Sequence, residues 1–150
     1  MKIYLGADHA GYELKNQLFE HLVHKGYEVE DVGAGTLDQA DDFPRYAYDV
    51  AVKVLGGEDK DDDRGILICG SGQGVAMAAN RVRGIRAAVI WNEAGAKETR
   101  QDNNSNVLSL PARMIDQETA FAIVDTWLTT KFSGAERHQR RIDQIEELYG

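Results

Sequence analysis

Short apolar runs alternate with longer amphipathic stretches along this chain of 150 residues. Runs of strand length lie at 2–7, 27–33, 65–70, 85–91 and 106–110, and several of them are apolar on both faces. A strand that is apolar on both faces is typical of a parallel sheet that helices cover on either side. The pattern therefore predicts five strands of one buried sheet.

Amphipathic helices are predicted between and after these strands. Three stretches repeat apolar residues every three to four positions, so each presents one apolar face. The faces comprise Leu14, Leu18, Leu22 and Val23 in the first stretch, Tyr46, Val50, Val54 and Leu55 in the second, and Val75, Ala78, Ala79 and Val82 in the third. Two further helices are predicted at about 116–129 and 134–148, separated by a turn that ends at Gly134.

The order of these elements predicts the fold class. A strand–helix–strand crossover of this length requires parallel strands, and successive crossovers place helices on both faces of the sheet. We therefore predict an α/β fold that forms a single domain over residues 1–150. It is a Rossmann-like, doubly wound sandwich with a five-stranded parallel sheet and a C-terminal helical extension.

Composition and charge exclude several classes of partner. The chain is 43% hydrophobic, and its 25 acidic and 17 basic residues give a net charge of −8. This charge argues against nucleic acid or an anionic membrane as partner, so any anion site has to be local. No apolar run approaches the roughly 20 residues of a membrane span, and one cysteine forms no intrachain disulfide. We expect a cytoplasmic protein, and we interpret the charged segment 56–65 as a solvated loop rather than a metal site.

Polar residues directly follow three of the predicted strands. Asp8 and His9 follow the first strand, the loop Cys69–Gly74 follows the third, and Trp91 and Asn92 follow the fourth. Doubly wound sheets bind ligands at the carboxyl ends of their strands, so we expect these groups to converge. The glycine-rich turn can aim backbone N–H groups at an oxyanion and favours a thiolate at Cys69. The alternative is a small buried Cys69 beside glycines that only permit close packing.

A basic cluster lies near the end of the chain, after a polar segment at 99–108. Arg137, His138 and Arg141 are spaced to face one side of a helix. Guanidinium groups in this arrangement suit a phosphate. The alternative is a solvated helix face on which the arginines pair with Glu136 or Asp143.

Five motifs together resemble one enzyme family. GADHAGYELK, DFPRYA, GILICGSGQGVAMAANRVRGIRAAV, NNSNVL and ERHQRRI, in this order and spacing, are similar to the ribose-5-phosphate isomerase B family, which includes the galactose-6-phosphate isomerase subunits. The resemblance implies interconversion of an aldose phosphate and a ketose phosphate through a cis-enediolate, without a metal or an organic cofactor. It also implies a homodimer with active sites shared between subunits, with a tetramer as the alternative assembly.

The resemblance also assigns roles to individual residues. Cys69 matches the base that moves the carbon-bound proton, and Ser71 matches a hydroxyl that assists proton movement between the oxygens. Asp42 and Phe43 stand where the family often has Asp-Tyr, and Asn103 matches a residue that stabilises the enediolate. The implied substrate-binding residues are Asp8, His9, Asp42, Gly70, Gly72, Gly74, Asn103, Arg113, Arg137, His138 and Arg141, of which Arg113, Arg137, His138 and Arg141 form a phosphate clamp.

One position departs from the family pattern. The family's ring-opening histidine should precede the asparagine pair, but this chain has Asp102 there, and an aspartate of ordinary pKa is a poor acid at neutral pH. Either the environment perturbs Asp102, or another group such as His9 or His138 opens the ring. A third alternative is a substrate without a ring to open, such as a four-carbon sugar phosphate; a six-carbon substrate also stays open.

Two classes of protein other than an isomerase are weighed against this interpretation. A non-catalytic sugar-phosphate-binding protein would keep the clamp without needing Cys69 and Ser71, which are both present. A nucleotide-binding redox protein would need its glycine fingerprint after the first strand, whereas GSGQG follows the third and lacks the last glycine. The sequence therefore favours the isomerase.

Overall fold

The computed structural model of the chain describes residues 1–149 and confirms the predicted α/β fold. The five strands are β1 (Lys2–Ala7), β2 (Glu28–Gly33), β3 (Arg64–Cys69), β4 (Ala87–Val89) and β5 (Val107–Pro111). The helices are α1 (Tyr12–His24), α2 (Phe43–Gly56), α3 (Gln73–Ala79), α4 (Glu93–Asn103), α5 (Gln117–Thr129) and α6 (Glu136–Tyr149). Within residues 1–149, no helix is both long enough and apolar enough to cross a membrane.

The sheet is parallel throughout and has the strand order β2-β1-β3-β5-β4. The chain adds β2 on one side of β1 and then crosses to place β3 on the other side, so its winding direction reverses between β1 and β3. The connections that leave the carboxyl ends of two such strands go to opposite faces of the sheet and leave a crevice between them. Doubly wound sheets bind ligands in this crevice. The fold therefore places the ends of β1 and β3, near Asp8 and Cys69, at the expected binding position.

Helices cover both faces of the sheet, and β3 lies at its centre with every residue buried. Ile66 and Ile68 face one core cluster, which α1 and α5 complete with side chains such as the fully buried Trp127. Leu67 and Cys69 face the other cluster, which α2 and α3 complete. Because successive strand residues alternate between faces, Cys69 ends the strand on the α2 and α3 side.

The structure differs from the sequence prediction at several elements. The helix α4 was not predicted, because Glu93–Asn103 is strongly polar and buries only Ala96, Thr99 and Arg100. The strand β4 is three residues long rather than spanning 85–91, and α3 ends before Val82. Val23, predicted on the buried face of α1, is 49% exposed. A pattern read from apolar spacing alone therefore misses a helix that packs mainly through small and polar residues.

A close backbone approach constrains the turn between β1 and α1. A Cβ atom on Gly11 would lie 2.4 Å from the carbonyl oxygen of Ile68, well inside contact distance. We expect Gly11→Ala to lower the free energy of unfolding by about 1–3 kcal/mol, because the backbone of β3 has to shift. Urea denaturation measures the change, with Gly35→Ala as the matched control because a Cβ atom there meets nothing within 4 Å. Equal stability of the two variants would contradict the packing argument.

Candidate active site

The first group of candidate residues lies at the carboxyl ends of three neighbouring strands. Asp8 follows β1, Cys69 ends β3, and Arg113 lies two residues beyond β5. Since β3 pairs with both β1 and β5, these residues lie above adjacent strands. Cys69 is a free thiol that is 5% exposed, and Asp8 is similarly buried, whereas Arg113 is exposed. The predicted convergence at the carboxyl ends of these strands therefore has a structural basis.

The loop after Cys69 has its carbonyl groups turned towards β5 and the turn that follows it. The carbonyl oxygens of Cys69 and Gly70 accept hydrogen bonds from the backbone N–H groups of Ala112 and Arg113, at 2.9 and 3.0 Å. The carbonyl of Gly72 accepts from the Ser109 hydroxyl. In a trans peptide unit the N–H points opposite to the C=O. The N–H groups of residues 70 and 71 are thus directed away from β5, on the side where an oxyanion can meet them, whereas the N–H of Gln73 donates to the Ser71 hydroxyl.

Close neighbours explain why glycine occupies several positions of this loop. A Cβ atom on Gly70 would lie 2.8 Å from Nη1 of Arg113, and one on Gly74 would lie 2.6 Å from the ring of Phe43. Gly72 has φ +73° and also approaches the backbone before Pro111. The glycines therefore permit close packing, and the same loop also directs backbone N–H groups away from β5. The close packing also places the Arg113 guanidinium against the loop that carries Cys69.

Ser71 lies in the same loop and is half-buried. Its hydroxyl accepts a hydrogen bond from the backbone N–H of Gln73 at 3.3 Å. The contact places the Ser71 oxygen on the side to which the loop N–H groups are directed. The hydroxyl retains its own proton for a second partner, because this contact uses it as an acceptor.

Asp8 and His9 form the turn that follows β1. The Oδ1 atom of Asp8 accepts from the backbone N–H groups of Ala10 and Gly11 at 3.0 and 3.3 Å, which caps the short helical turn His9–Gly11. One oxygen of Asp8 is therefore committed to the backbone. The carboxylate is held at the end of β1 with its position set by this cap.

Asp41 joins this group, although the family resemblance points to its neighbour Asp42. The Oδ1 atom of Asp41 lies 2.8 Å from Nδ1 of His9 and accepts from the His9 backbone N–H at 3.0 Å. Asp42 is exposed and precedes α2 without capping it through its side chain. The paired acids at 41 and 42 carry no sequence signal that tells which one turns inward. Asp41 was missed for that reason.

The side chains of Asp8, His9 and Asp41 are close enough to be considered as cation ligands. One ligand atom from each lies within 4.8 Å of the others. However, Oδ1 of Asp8 and the pair formed by Oδ1 of Asp41 and Nδ1 of His9 already make hydrogen bonds within the protein. A cation would have to break or share these contacts, so the arrangement favours a hydrogen-bonding role over a metal site.

The second group of candidate residues lies at the other end of the sheet, near the amino ends of the strands. The helix α4 runs back from the carboxyl end of β4, so Asp102 and Asn103 stand near the amino ends of the strands. Consistent with this placement, the carbonyl of Asn103 accepts from Nε of Arg86, the residue before β4. Five residue steps separate Arg64 and Cys69, the two ends of β3, which is roughly 16 Å at the strand rise. One copy of the chain therefore holds Asp102 and Asn103 roughly that far from Cys69.

The basic residues of α6 belong to this second group. His138 is buried, with Nδ1 2.7 Å from the Ser133 hydroxyl and Nε2 3.6 Å from Oδ1 of Asp102. Arg137 and Arg141 are exposed on the same helix. The predicted clamp is thus divided, because Arg113 lies beside Cys69 while Arg137, His138 and Arg141 lie beside Asp102.

Trp91 and Asn92 do not join either group. They follow β4, which is separated from β3 by β5. The Oδ1 atom of Asn92 accepts from the backbone N–H of Gly95 at 2.8 Å and caps α4, and Trp91 is 44% exposed. The expectation that Asn92 converges with Asp8 and the Cys69 loop is therefore wrong, because β5 lies between β4 and β3 and the Asn92 side chain caps the unpredicted helix α4.

A cleft of about 580 Å³ lies away from both groups, at the amino ends of β1, β2 and β3. Its two lysines are already paired, since Glu30 contacts Lys2 at 3.3 Å and Lys53 at 2.7 Å. Glu30 has a lowered pKa, chiefly because of the hydrogen bond from Lys53. Glu30 therefore occupies the lysines of this cleft, whereas the N–H groups of Gly70 and Ser71 have no hydrogen-bond partner within residues 1–149.

Comparison with known proteins gives one consistent result. The family model described as Ribose/Galactose Isomerase matches residues 3–145. Ribose-5-phosphate isomerase B of Escherichia coli K12 is 44% identical over 147 residues, which cover 98% of this chain and 95% of that protein. The structure of ribose-5-phosphate isomerase B from Clostridium thermocellum has a TM-score of 0.93 and 43% identity, covering 99% of this chain and 97% of that chain.

A second solved structure is equally similar and contains a ligand. Ribose-5-phosphate isomerase B from Mycoplasma genitalium with bound ribulose-5-phosphate has a TM-score of 0.93 and 44% identity. The match covers 98% of this chain and 95% of that chain. Sequence and structural similarity thus extend over nearly the whole chain.

Proposed function

The chain belongs to the ribose/galactose isomerase family, and from this membership we propose that it interconverts ribose 5-phosphate and ribulose 5-phosphate. The similar protein from M. genitalium has been crystallised with ribulose-5-phosphate. The observation that carries the proposal to this chain is the position of Cys69, at the end of β3 beside the outward-facing N–H groups of its loop. A buried thiol and an oxyanion site at the sheet's switch point supply what an aldose–ketose isomerase needs.

The proposed reaction moves two protons. The Cys69 thiolate takes the proton from C2 of the open-chain aldose, the C–H electron pair forms the C1–C2 double bond, and the carbonyl pair moves onto O1. The thiol then returns its proton to C1. Ser71 passes the O2 proton to O1 as the C2 carbonyl forms. The N–H groups of residues 70 and 71 stabilise the negative charge that develops on oxygen between these steps.

The separation of the two residue groups supports a shared site. Asp102 and Asn103 lie roughly 16 Å, about the length of β3, from Cys69 in one chain, and the α6 arginines lie beside them. In a symmetric dimer, the amino ends of the strands in one copy can lie against the carboxyl ends of the strands in the other. Because a two-fold contact is reciprocal, both copies then have the same arrangement. We therefore propose a homodimer in which the partner supplies Asp102, Asn103, Arg137, His138 and Arg141. The reactive thiol fits a reducing compartment, so we place the enzyme in the cytoplasm.

The experiment that tests this function is an isomerisation assay with purified protein. Ribose 5-phosphate should be converted in the presence of a chelator and without nicotinamide, because the proposed groups are side chains and backbone N–H groups. Matched four-carbon and six-carbon sugar phosphates show which chain length is preferred. Binding of all three without turnover of any would instead identify a sugar-phosphate-binding protein.

A four-carbon substrate remains the specific alternative because of Asp102. Its carboxylate is 42% exposed and lies 3.6 Å from His138. If the substrate is a cyclic pentose phosphate, we expect Asp102→His to raise kcat/KM for ribose 5-phosphate several-fold, since an imidazole exists in both protonation states near neutral pH. The rate with a four-carbon aldose phosphate should not rise, because its phosphate blocks the hydroxyl that would close a ring.

Kinetics of the wild type, Asp102→His and Asp102→Asn on both sugars decide between these substrates. A wild type that prefers the four-carbon sugar would replace the pentose in the proposal. Equal kcat/KM values in all three proteins would show that position 102 has no part in ring opening.

A further inference from the structure

We infer that Asp41 is a positioning residue that holds the His9 ring with its Nδ1–H turned inward, so that Nε2 is the nitrogen presented to the sugar phosphate. The inference rests on the proposed function for its effect on catalysis, but its structural part can be measured without any substrate. It concerns a residue outside the motifs that carry the family resemblance, since DFPRYA begins one position later.

The shortest contacts of the Asp41 carboxylate are both with His9. Its Oδ1 atom accepts two hydrogen bonds from the same residue, from Nδ1 of His9 at 2.8 Å and from the His9 backbone N–H at 3.0 Å. Its Oδ2 atom is buried and makes no hydrogen bond with the residues the structure describes. The Asp41 side chain is only 6% exposed, whereas that of His9 is 30% exposed. A buried acceptor thus orients a ring that itself reaches the surface of the site.

The charge on Asp41 persists in spite of burial. Burial raises the pKa of the Asp41 carboxyl, but the contacts with His9, together with a weaker one with Tyr46, outweigh burial and leave the pKa below its ordinary value. The nearby Tyr46 responds in the opposite direction, with a pKa raised by burial and by the Asp41 carboxylate. Asp41 is therefore an acceptor at neutral pH, and Nδ1 of His9 has to be the donor in the contact between them.

The chemical consequence concerns the other ring nitrogen. The partner of one imidazole nitrogen determines which nitrogen carries the proton, so a carboxylate on Nδ1 leaves Nε2 free for a ligand. The His9 turn adjoins Asp8 and the Cys69 loop, because Gly11 contacts the end of β3. Nε2 can therefore contact the bound sugar phosphate. Loss of Asp41 should weaken this contact by releasing the ring, in the way that carboxylate partners orient histidine in other sites.

Nitrogen NMR of the histidine rings tests the structural part. The chain has four histidines, and the His9 signals are assigned as those missing from His9→Asn. We expect the neutral ring of His9 to carry its proton on Nδ1 in the wild type. In Asp41→Ala the proton should move largely to Nε2, the form that free histidine prefers. Asp41→Asn, which keeps a neutral acceptor, should lie between them.

Kinetics on ribose 5-phosphate test the functional part. We expect kcat/KM to fall roughly tenfold in Asp41→Ala, with partial recovery in Asp41→Asn. If Asp41 acts through His9, the double variant His9→Asn/Asp41→Ala should be no worse than His9→Asn alone. Asp38→Ala is the matched control, because it removes the same charge from an exposed site in the same loop.

Each result bears on the inference. An Nε2–H ring at His9 in the wild type, or losses that add fully in the double variant, would overturn it. Equal kcat/KM in Asp41→Ala and Asp38→Ala would overturn it as well. If no sugar phosphate is turned over, the proposed function fails, and the His9 proton position still decides whether Asp41 orients the ring.

Discussion

Cys69→Ala should abolish isomerisation of ribose 5-phosphate while leaving the fold and the affinity for phosphate intact. A methyl group cannot accept the C2 proton, and a positioned base contributes about a hundred- to ten-thousandfold to such a step. The fold should persist because alanine fits the space of the buried thiol, which packs beside residues such as Val75 and Ala79. Steady-state turnover, circular dichroism and inorganic phosphate binding measure the three properties separately.

Chemical modification gives an independent check on the same residue. Cys69 is the only cysteine, so a thiol-directed reagent adds a single label that mass spectrometry places without ambiguity. Substrate should slow both labelling and loss of activity, because it covers the loop. Near-wild-type turnover in Cys69→Ala would remove the thiol from the mechanism and leave it as a small buried side chain.

Arg141→Ala should weaken the binding of ribose 5-phosphate and of inorganic phosphate about ten- to a hundredfold. The loss of a charge-assisted hydrogen bond to an anion costs roughly 1.5–3 kcal/mol, and Arg137→Ala should behave in the same way. Because these arginines and Cys69 lie at opposite ends of the sheet in one chain, the Arg141→Ala and Cys69→Ala variants should complement each other in a mixed dimer. A mixed dimer of Arg141→Ala and Cys69→Ala chains should contain one intact site.

Mixed dimers can be isolated by placing different affinity tags on the two variants. Activity close to half that of the wild-type dimer is expected from the mixed species, whereas each parent dimer should remain defective. A verified mixed dimer without recovered activity would show that each site is built from one chain. The proposed shared site would then be wrong, although the role of Cys69 would stand.

The sheet and most of its helices were predictable because burial leaves a strong periodic signal. β3 is buried at every position, and α2 repeats apolar residues on one face, so both appear in the sequence pattern. The helix α4 leaves no such signal, since it packs through Ala96, Thr99 and Arg100. Without α4, the position of Asp102 could not be inferred. The helix runs antiparallel to the strands, and this direction places Asp102 near their amino ends.

The candidate site was predictable only in part, for reasons that differ between residues. Cys69 and its glycines follow a buried strand directly, so their position at the carboxyl edge could be inferred from sequence. The contact between Asp41 and His9 joins residues 32 positions apart through an irregular loop, where no periodicity applies. The turned N–H groups depend on hydrogen bonds from Ala112 and Arg113, which only the pairing of β3 with β5 brings close.

Isomerisation in D₂O tests most directly the central claim that Cys69 moves a proton through an enediolate. Wild-type enzyme and ribose 5-phosphate are left for many turnovers, and the hydrogens on C1 and C2 are followed by proton NMR. We expect deuterium to enter at these carbons in the wild type, because the Cys69 thiol exchanges its proton with solvent, and neither conversion nor exchange in Cys69→Ala. Complete conversion with no deuterium at C1 or C2 would indicate a hydride shift, and exchange that persists in Cys69→Ala would assign the base to another residue.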